Sequence, residues 1–343
     1  VDAGGVPSGD DFQISVGTTD DRTSPSVATL PGGEFLVAWE NSTDAGEFAS
    51  ARTFDDAGLP GAVVVLEAAD PDVNVFDPVV VAADAGHFVV VWETYDSNLN
   101  ESAFRGRRVD AAGTAQGVVF TLESAAANDF VGSGSVAPRA GDGFLLAWQF
   151  SGVAGREARV RAFDAAGAPD GASVVIADAT DPSYPQVAGL DDDGFVVAWR
   201  ESVDGLKRQR FEGDGGVNAV VDVTASTTTP RNAVLTEVPG GRAALAWVEA
   251  GSGPTPDRVF LQLIDASDSA TDFEVAQSEE SQSHPGVAYD GAAGELLVVW
   301  TRRGGAGADQ EEILMRRYAL DGIFSDGFES GDVSAWSALI GGP

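Results

Sequence analysis

The chain has 343 residues, no cysteine, and 54 aspartates and glutamates against 20 lysines and arginines, which gives a formal net charge of −34 at pH 7. A charge this negative repels nucleic-acid phosphates and anionic lipid headgroups, so we expect neither nucleic acid nor a membrane surface as a partner. No stretch approaches the roughly 18 apolar residues that a membrane-inserted helix needs, and without cysteine the fold uses no disulfides.

An apolar run that ends in tryptophan recurs six times along the chain, at intervals of 48 to 56 residues. The tryptophans are Trp39, Trp92, Trp148, Trp199, Trp247 and Trp300. Most copies are followed by a turn of the type Phe-Asp-x-x-Gly. A period near fifty residues indicates tandem units, each too small to bury its own apolar face and completed by its neighbours.

The first unit predicts four short strands. Residues 26–30 precede a Pro-Gly-Gly turn, and residues 34–40 form a continuous apolar run, which is typical of a strand covered on both faces. Residues 48–54 alternate and lead into a tight hairpin, in which Gly58 takes the left-handed conformation. Residues 63–66 complete the unit.

Later units repeat these features with individual changes. Asp268 stands where the hairpin calls for glycine, and aspartate adopts the left-handed conformation at lower cost than most residues. A proline lies fourteen residues before the tryptophan in three units. In two further units the proline, Pro285 or Pro230, is displaced from that position by one or three residues. The third strand carries Arg52, Arg107, Arg161 and Arg316, or Gln209 and Gln262. We interpret this recurring cation as a structural partner of the recurring aspartate within each unit.

Four-stranded units of this length, arranged radially, predict an all-β, six-bladed β-propeller over residues 1–322. Residues 12–16 supply a fourth strand without the first three, and residues 313–318 supply a third strand without a fourth. We therefore expect the N-terminal strand to close the last blade, which removes an exposed sheet edge. An open solenoid and a seven-bladed ring with one degenerate blade are the alternatives.

Residues 323–343 lie outside the repeat and form a C-terminal tail for docking or export. The phrase Asp-Gly-Phe-Glu-Ser-Gly-Asp at residues 326–332, followed by Ser-x-Trp, resembles a short C-terminal segment of many secreted bacterial proteins. The repeat itself resembles the Gly-Gly-Phe-Val-Val-x-Trp and Arg-x-Phe-Asp-x-x-Gly arrays of bacterial surface and secreted proteins. The resemblance implies an extracellular or cell-surface location, with a signal peptide already removed.

Catalytic chemistry is weakly represented in the sequence. The two histidines, His87 and His284, occupy different repeat positions, which argues against a Ser/His/Asp triad and against zinc. Acidic side chains crowd one face, where Glu40 and Glu93 follow their tryptophans, and paired carboxylates are able to cleave a glycosidic bond. Carboxylates also bind Ca²⁺, the only cofactor considered. Its candidate ligands are Asp20, Asp70, Asp72 and Asp181 in the loops, and Asp326, Glu329 and Asp332 in the tail.

Regular recurrence favours packing over catalysis, so the main hypothesis is that the chain is not an enzyme. It is instead an extracellular structural or adhesive propeller that assembles with copies of itself into filaments by strand or tail exchange. The residues expected at that contact are Phe12, Ile14, Ile313, Met315, Phe328 and Trp336. The alternative is a propeller that binds or cleaves a glycan, as a lectin, glycoside hydrolase or lyase.

Overall fold

The computed structural model describes residues 12–17, 21–176, 181–202, 205–224, 230–251, 255–275, 280–303 and 311–320. In these residues the chain forms 23 strands in six antiparallel sheets, and each sheet follows chain order from its first strand to its last. The sheets are the blades of a six-bladed β-propeller, which confirms the predicted fold class and excludes a seventh blade within the described chain. No helix in this part of the chain has the length and apolar character to cross a membrane.

The strands divide evenly among the blades, except that three are described in the last one. Blade 1 contains β1 (Asp21–Thr29), β2 (Phe35–Thr43), β3 (Gly46–Phe54) and β4 (Pro60–Val65). Blade 2 contains β5 (Val73–Asp84), β6 (His87–Asp96), β7 (Glu101–Asp110) and β8 (Ala115–Ser124). Blade 3 contains β9 (Phe130–Pro138), β10 (Phe144–Gly152), β11 (Gly155–Phe163) and β12 (Pro169–Ile176).

The second half of the ring repeats this order. Blade 4 contains β13 (Pro182–Gly189), β14 (Phe195–Glu201), β15 (Gly205–Phe211) and β16 (Val221–Asp222). Blade 5 contains β17 (Pro230–Val238), β18 (Arg242–Glu249), β19 (Arg258–Ile264) and β20 (Ala270–Glu274). Blade 6 contains β21 (Ser281–Asp290), β22 (Glu295–Arg303) and β23 (Glu311–Ala319).

The hairpin between the third and fourth strands has the predicted geometry. Gly58 has a φ of 79°, and its N–H donates to the carbonyl of Asp55 at 2.9 Å. Asp268 takes the same left-handed conformation at a φ of 66°, and its N–H donates to the carbonyl of Asp265 at 3.1 Å. The expectation that aspartate replaces glycine at this turn is therefore confirmed.

The apolar core lies between blades, and five of the six tryptophans pack on the blade before their own. Trp39 packs instead with Phe54 of its own blade and with Ile14. Trp92 of blade 2 is fully buried against Leu36 and Leu66 of blade 1. The first strands of the blades lie innermost and surround a central channel. A cavity of about 490 Å³ at one end of this channel is lined by residues of the first strands of blades 1, 3, 4, 5 and 6.

The recurring arginine of the third strand is structural, although its partner is not the aspartate that we expected. Arg107 Nη1 donates to the carbonyl of Leu66, the residue after the last strand of the preceding blade, at 2.6 Å. Arg316 makes the equivalent contact with the carbonyl of Val275. In these two blades the guanidinium joins the preceding blade through a backbone carbonyl, whereas Arg161 Nη1 donates to the Glu123 carboxylate of the preceding blade at 2.6 Å.

The N-terminal segment lies where a fourth strand of the last blade would lie. Arg52 Nη1 donates to the carbonyl of Ile14 at 2.9 Å, as Arg107 does to Leu66, and Ile14 packs on the cluster around Trp39. In the described residues, however, residues 12–17 form no strand and β23 pairs only with β22. The predicted pairing between residues 12–16 and 313–318 is thus not present there.

The residues expected at an assembly contact fall in three places. Phe12 is exposed, with its ring centroid 5.8 Å from that of Phe54, whereas Ile14 is partly buried. Ile313 and Met315 are exposed on β23. Phe328 and Trp336 lie outside the described residues. Strand or tail exchange between copies of the chain stays a prediction.

Candidate functional site

The first strand of every blade contains a β-bulge at the same repeat position. At each bulge the pairing with the second strand shifts register, and one residue other than glycine has a positive φ between 45° and 57°. These six residues are Ser24, Asp77, Ser133, Tyr184, Asn232 and His284. A left-handed conformation costs an L-residue roughly 1–2 kcal/mol, so the fold maintains six strained positions around one channel.

Equivalent repeat positions lie at the same end of the channel, and we call the end at which the first strands begin the bulge face. The six blades share this β-bulge and its left-handed residue, but the side chain at that position differs from blade to blade. β-bulges commonly re-aim side chains next to active sites, and strained residues cluster at such sites. The repetition therefore builds a ring of positions, while the individual residues give each position its own chemistry.

Blades 1 and 2 place carboxylates on the bulge face. Asp77 is exposed at the bulge of blade 2, and its Oδ1 accepts a hydrogen bond from Ser24 Oγ of blade 1 at 2.9 Å. Glu93 follows Trp92 on the second strand, and Phe76, the residue before Asp77, is paired with it across the sheet. Asp77 and Glu93 are thus brought together by strand pairing within one blade.

Glu93 is largely buried, and its Oε1 accepts a hydrogen bond from the N–H of Gly134 in blade 3 at 2.8 Å. A Cβ added to Gly132 would come within 2.9 Å of Glu93 Oε2, so glycine at that position leaves room for the carboxylate. Burial raises the pKa of Glu93 to about 7, and the negative charge of Asp77 adds to the increase, while the N–H groups of Gly134 and Ser133 oppose it.

Glu40 occupies in blade 1 the position that Glu93 occupies in blade 2. Burial raises its pKa, as do the charges of Glu47 and Asp77, although the Asp77 N–H and the Thr23 hydroxyl hydrogen-bond to it and lower the pKa. Glu40 and Glu93 therefore each accept hydrogen bonds from the bulge of the next blade. We call Glu40, Asp77 and Glu93 the acid sector.

Blades 4 to 6 present different chemistry on the opposite side of the same face. A cavity of about 580 Å³ is lined by residues from the bulges of three blades and by Arg200, which follows Trp199 as Glu93 follows Trp92. We call its polar residues the cation sector: Tyr184, Gln186, Arg200, Arg231, Asn232 and His284. None of the described residues that line this cavity is acidic.

The candidate Ca²⁺ ligands do not converge in the described chain. Asp70 Oδ1 caps its own turn by accepting from the Asp72 N–H at 3.0 Å, and Asp181 forms an ion pair with Arg156 at 3.0 Å. Asp20, Asp326, Glu329 and Asp332 lie outside the described residues. In the part that is described, no group of three or more acidic or histidine side chains is placed to hold a metal ion. Calcium binding stays a prediction.

Neither histidine was expected to belong to a Ser/His/Asp triad or to bind zinc, and the structure places the two in different surroundings. His87 is bound by Asp84, with 2.7 Å between Nδ1 and Oδ1, and Asp84 also pairs with Arg108 at 2.5 Å. His284 instead is an exposed bulge residue at the cavity of the cation sector. The signal that would have found it is the recurring proline, since the residue before Pro25, Pro78, Pro185 or Pro285 is the bulge residue.

Comparison with solved structures finds this fold in proteins of low identity. A protein of unknown function from Dyadobacter fermentans has a TM-score of 0.58 at 12% identity, over 87% of this chain and 95% of that one. The Hadza microbial sialidase Hz136 has a TM-score of 0.53 at 11% identity, over 81% of this chain and 63% of that one. The polysaccharide lyase Uly1 has a TM-score of 0.54 at 10% identity, over 85% of this chain and 76% of that one. No protein-family model and no curated protein matches the sequence.

At these identities the likeness shows the fold alone, but it corrects one expectation. We expected a non-enzyme because recurring residues serve packing, and that inference was wrong, since propellers with this fold include a sialidase and a polysaccharide lyase. The error has a physical reason. Packing residues recur in every blade, so their recurrence carries no information about the positions at which the side chain differs between blades, such as the bulge.

Proposed function

We propose that the chain is a carbohydrate-active enzyme that cleaves glycosidic bonds at the bulge face. The observation that carries the proposal is the convergence of a buried carboxylate, Glu93, and an exposed one, Asp77, on the bulge face. Enzymes that cleave glycosidic bonds commonly use two such carboxylates in unequal environments. The sialidase and the lyase that share this fold also act on carbohydrates, as their names state.

The unequal environments assign the two roles. Glu93, whose pKa of about 7 keeps much of it protonated near neutral pH, donates a proton to the oxygen that leaves the sugar. Asp77, exposed and hydrogen-bonded by Ser24, supplies the carboxylate that acts on the sugar carbon, either directly or through a water molecule.

The acidic composition and the resemblance of the repeat to secreted arrays support an extracellular setting for this activity. A polysaccharide substrate outside the cell fits an open channel mouth, where a long chain can enter without complete enclosure. The sequence resemblance is the basis for this location, and the fold is compatible with it.

The test is release of new reducing ends from a panel of polysaccharides with neutral, carboxylated and sulfated sugars. We expect one class to be cleaved, and we expect Asp77→Asn or Glu93→Gln to reduce kcat by about 100-fold or more. Glu237→Gln is the matched control, because Glu237 is also a half-buried glutamate with a raised pKa but lies at the other end of the channel.

The control variant should cleave as the wild type does. The proposal fails if no polysaccharide in the panel is cleaved, or if the variants of Asp77 and Glu93 retain the activity of Glu237→Gln.

A further inference from the structure

We propose that the cavity of the cation sector binds an anionic sugar unit, with Arg200 as the side chain that recognises its carboxylate. This inference rests on the proposed function for its glycan substrate, and it adds the substrate class. The observation behind it is which partners the arginine side chains have, in a chain with 54 acidic residues and 20 basic ones.

Arg200 differs from every other arginine that the structure describes. The others donate from their guanidinium groups to carboxylates or backbone carbonyls, as Arg208 does to Asp268 and Arg107 does to Leu66. Arg200 has no such partner in the described chain, where only its backbone carbonyl is engaged, by Ser183 Oγ at 3.4 Å. With this excess of carboxylates available, a half-buried cation left unpaired at a cavity indicates that its partner comes from outside the chain.

The surroundings of Arg200 favour an anion. Arg231, at the same cavity, holds Asp257 only loosely, with 3.8 Å between Nη1 and Oδ2. The described lining contains no carboxylate. Charges interact over a Debye length of about 8 Å at physiological salt, so an anion in the cavity is attracted by both of the arginines that line it. A nucleic acid, which needs many phosphate contacts, gains no comparable advantage.

The remaining lining fits a sugar. Tyr184 is 61% exposed, so its ring face is available for the apolar face of a pyranose. Asn232 and His284 are exposed beside it and offer hydrogen-bond donors and acceptors for hydroxyl groups. A volume of about 580 Å³ lies within the range of small-molecule sites.

The arrangement also orients the substrate. An anionic group is attracted to Arg200 and repelled by Asp77 on the opposite side of the face, so the charged sugar ring enters the cation sector. The glycan chain attached to that ring then has the rest of the bulge face, including the acid sector, along which to extend. A neutral sugar has no such preference between the two sides.

The experiment measures binding to the intact chain by calorimetry, with glucuronate, galacturonate and N-acetylneuraminate as carboxylated probes. Glucose and galactose are the neutral controls, and galactose 6-sulfate distinguishes a sulfate from a carboxylate. We expect at least one carboxylated sugar to bind roughly tenfold more tightly than its neutral counterpart or the sulfated sugar. Arg200→Gln should remove that difference.

Arg156→Gln is the matched control, because it removes the same charge near the bulge face from an arginine that is already paired with Asp181. It should retain the preference. The inference is overturned if no carboxylated sugar binds more tightly than the neutral ones, if the sulfated sugar is the one preferred, or if both arginine variants behave alike. Cleavage of a neutral polysaccharide without Arg200 dependence refutes this inference alone, whereas Arg200-dependent binding without any cleavage refutes the proposed function alone.

Discussion

The two sides of the bulge face share a backbone and differ in chemistry. At the residue after the tryptophan, the acid sector has Glu40 and Glu93, while the cation sector has Arg200. At the bulge, the acid sector has Asp77, while the cation sector has Tyr184, Asn232 and His284. The comparison teaches that a tandem repeat builds an asymmetric site without changing its backbone, by varying two positions that the packing leaves free.

The blades behind the two sectors are also joined differently. On the third strand, opposite the alanine before the tryptophan, blades 1 and 3 have Ala51 and Val160, which are buried among apolar residues. Blade 4 has Arg208 at that position, where it is 1% exposed and pairs with Asp268 of blade 5. Arg208 Nε also donates to Gln262 Oε1 at 2.8 Å. A buried ion pair replaces an apolar contact on the cation side.

The largest effect is expected from breaking this buried pair. Arg208→Leu should lower the free energy of unfolding by about 3–5 kcal/mol, because it leaves Asp268 buried without its cation. Urea unfolding measures it. Adding Asp268→Gly restores the residue that Gly58 provides in the first hairpin, at a left-handed position that suits glycine, and should recover most of the loss. Equal stability of the single and double variants would contradict the account.

Next in size is the pH dependence of stability that Glu93 contributes. Because its folded pKa of about 7 lies above the ordinary value of 4.5, the folded state holds the proton more tightly, and stability falls as pH rises through this interval. A shift of this size corresponds to at most about 3 kcal/mol. Glu93→Gln should match the wild type near pH 4 and exceed it at pH 8.

Urea unfolding at a series of pH values tests this expectation. Asp77→Asn should reduce the pH dependence in part, because Asp77 is the charge that adds to the pKa increase. If the wild type and Glu93→Gln lose stability in parallel as pH rises, Glu93 is not the group responsible.

A smaller effect is expected from the strained bulges on either side of the face. Asn232→Ala should be less stable than Asn232→Gly by about 1 kcal/mol, because alanine pays for the left-handed conformation and glycine does not. Thr236, farther along β17 and without a positive φ, should show the opposite order, since glycine weakens a regular strand. Thermal unfolding of the four variants measures both stability differences. If the alanine and glycine variants rank in the same order at both positions, strain at the bulge is contradicted.

The fold was predictable from the sequence because packing enforces repetition. The six buried tryptophans, the left-handed Gly58 and its substitute Asp268 recur for reasons of sterics and burial that act on every blade alike. Such constraints make the same residue types recur at a fixed interval in the sequence, and the length of that interval indicates the architecture. The termini were less predictable, since the contact of Ile14 with Arg52 depends on how the ring brings blade 1 to the end of the chain.

The site was predictable only in part. Glu40 and Glu93 were placed on the bulge face, because each follows its tryptophan on the second strand, although Val248 at the same position of blade 5 stays in the core. Asp77, Tyr184 and His284 were missed, since a bulge shifts register without an obvious residue signal other than the proline that often follows. That Arg200 has no partner among the described residues is invisible in the sequence, because it depends on which carboxylates the fold brings within reach.

The most direct test of the central claim is a crystal structure of the Asp77→Asn variant with a carboxylated oligosaccharide, chosen as the best binder among the probes. The account expects the carboxylate on the guanidinium of Arg200, a ring beside Tyr184, and a glycosidic oxygen within hydrogen-bond distance of Glu93. An oligosaccharide bound at the opposite end of the channel or on the outer edges of the blades, with the bulge face empty, would contradict it.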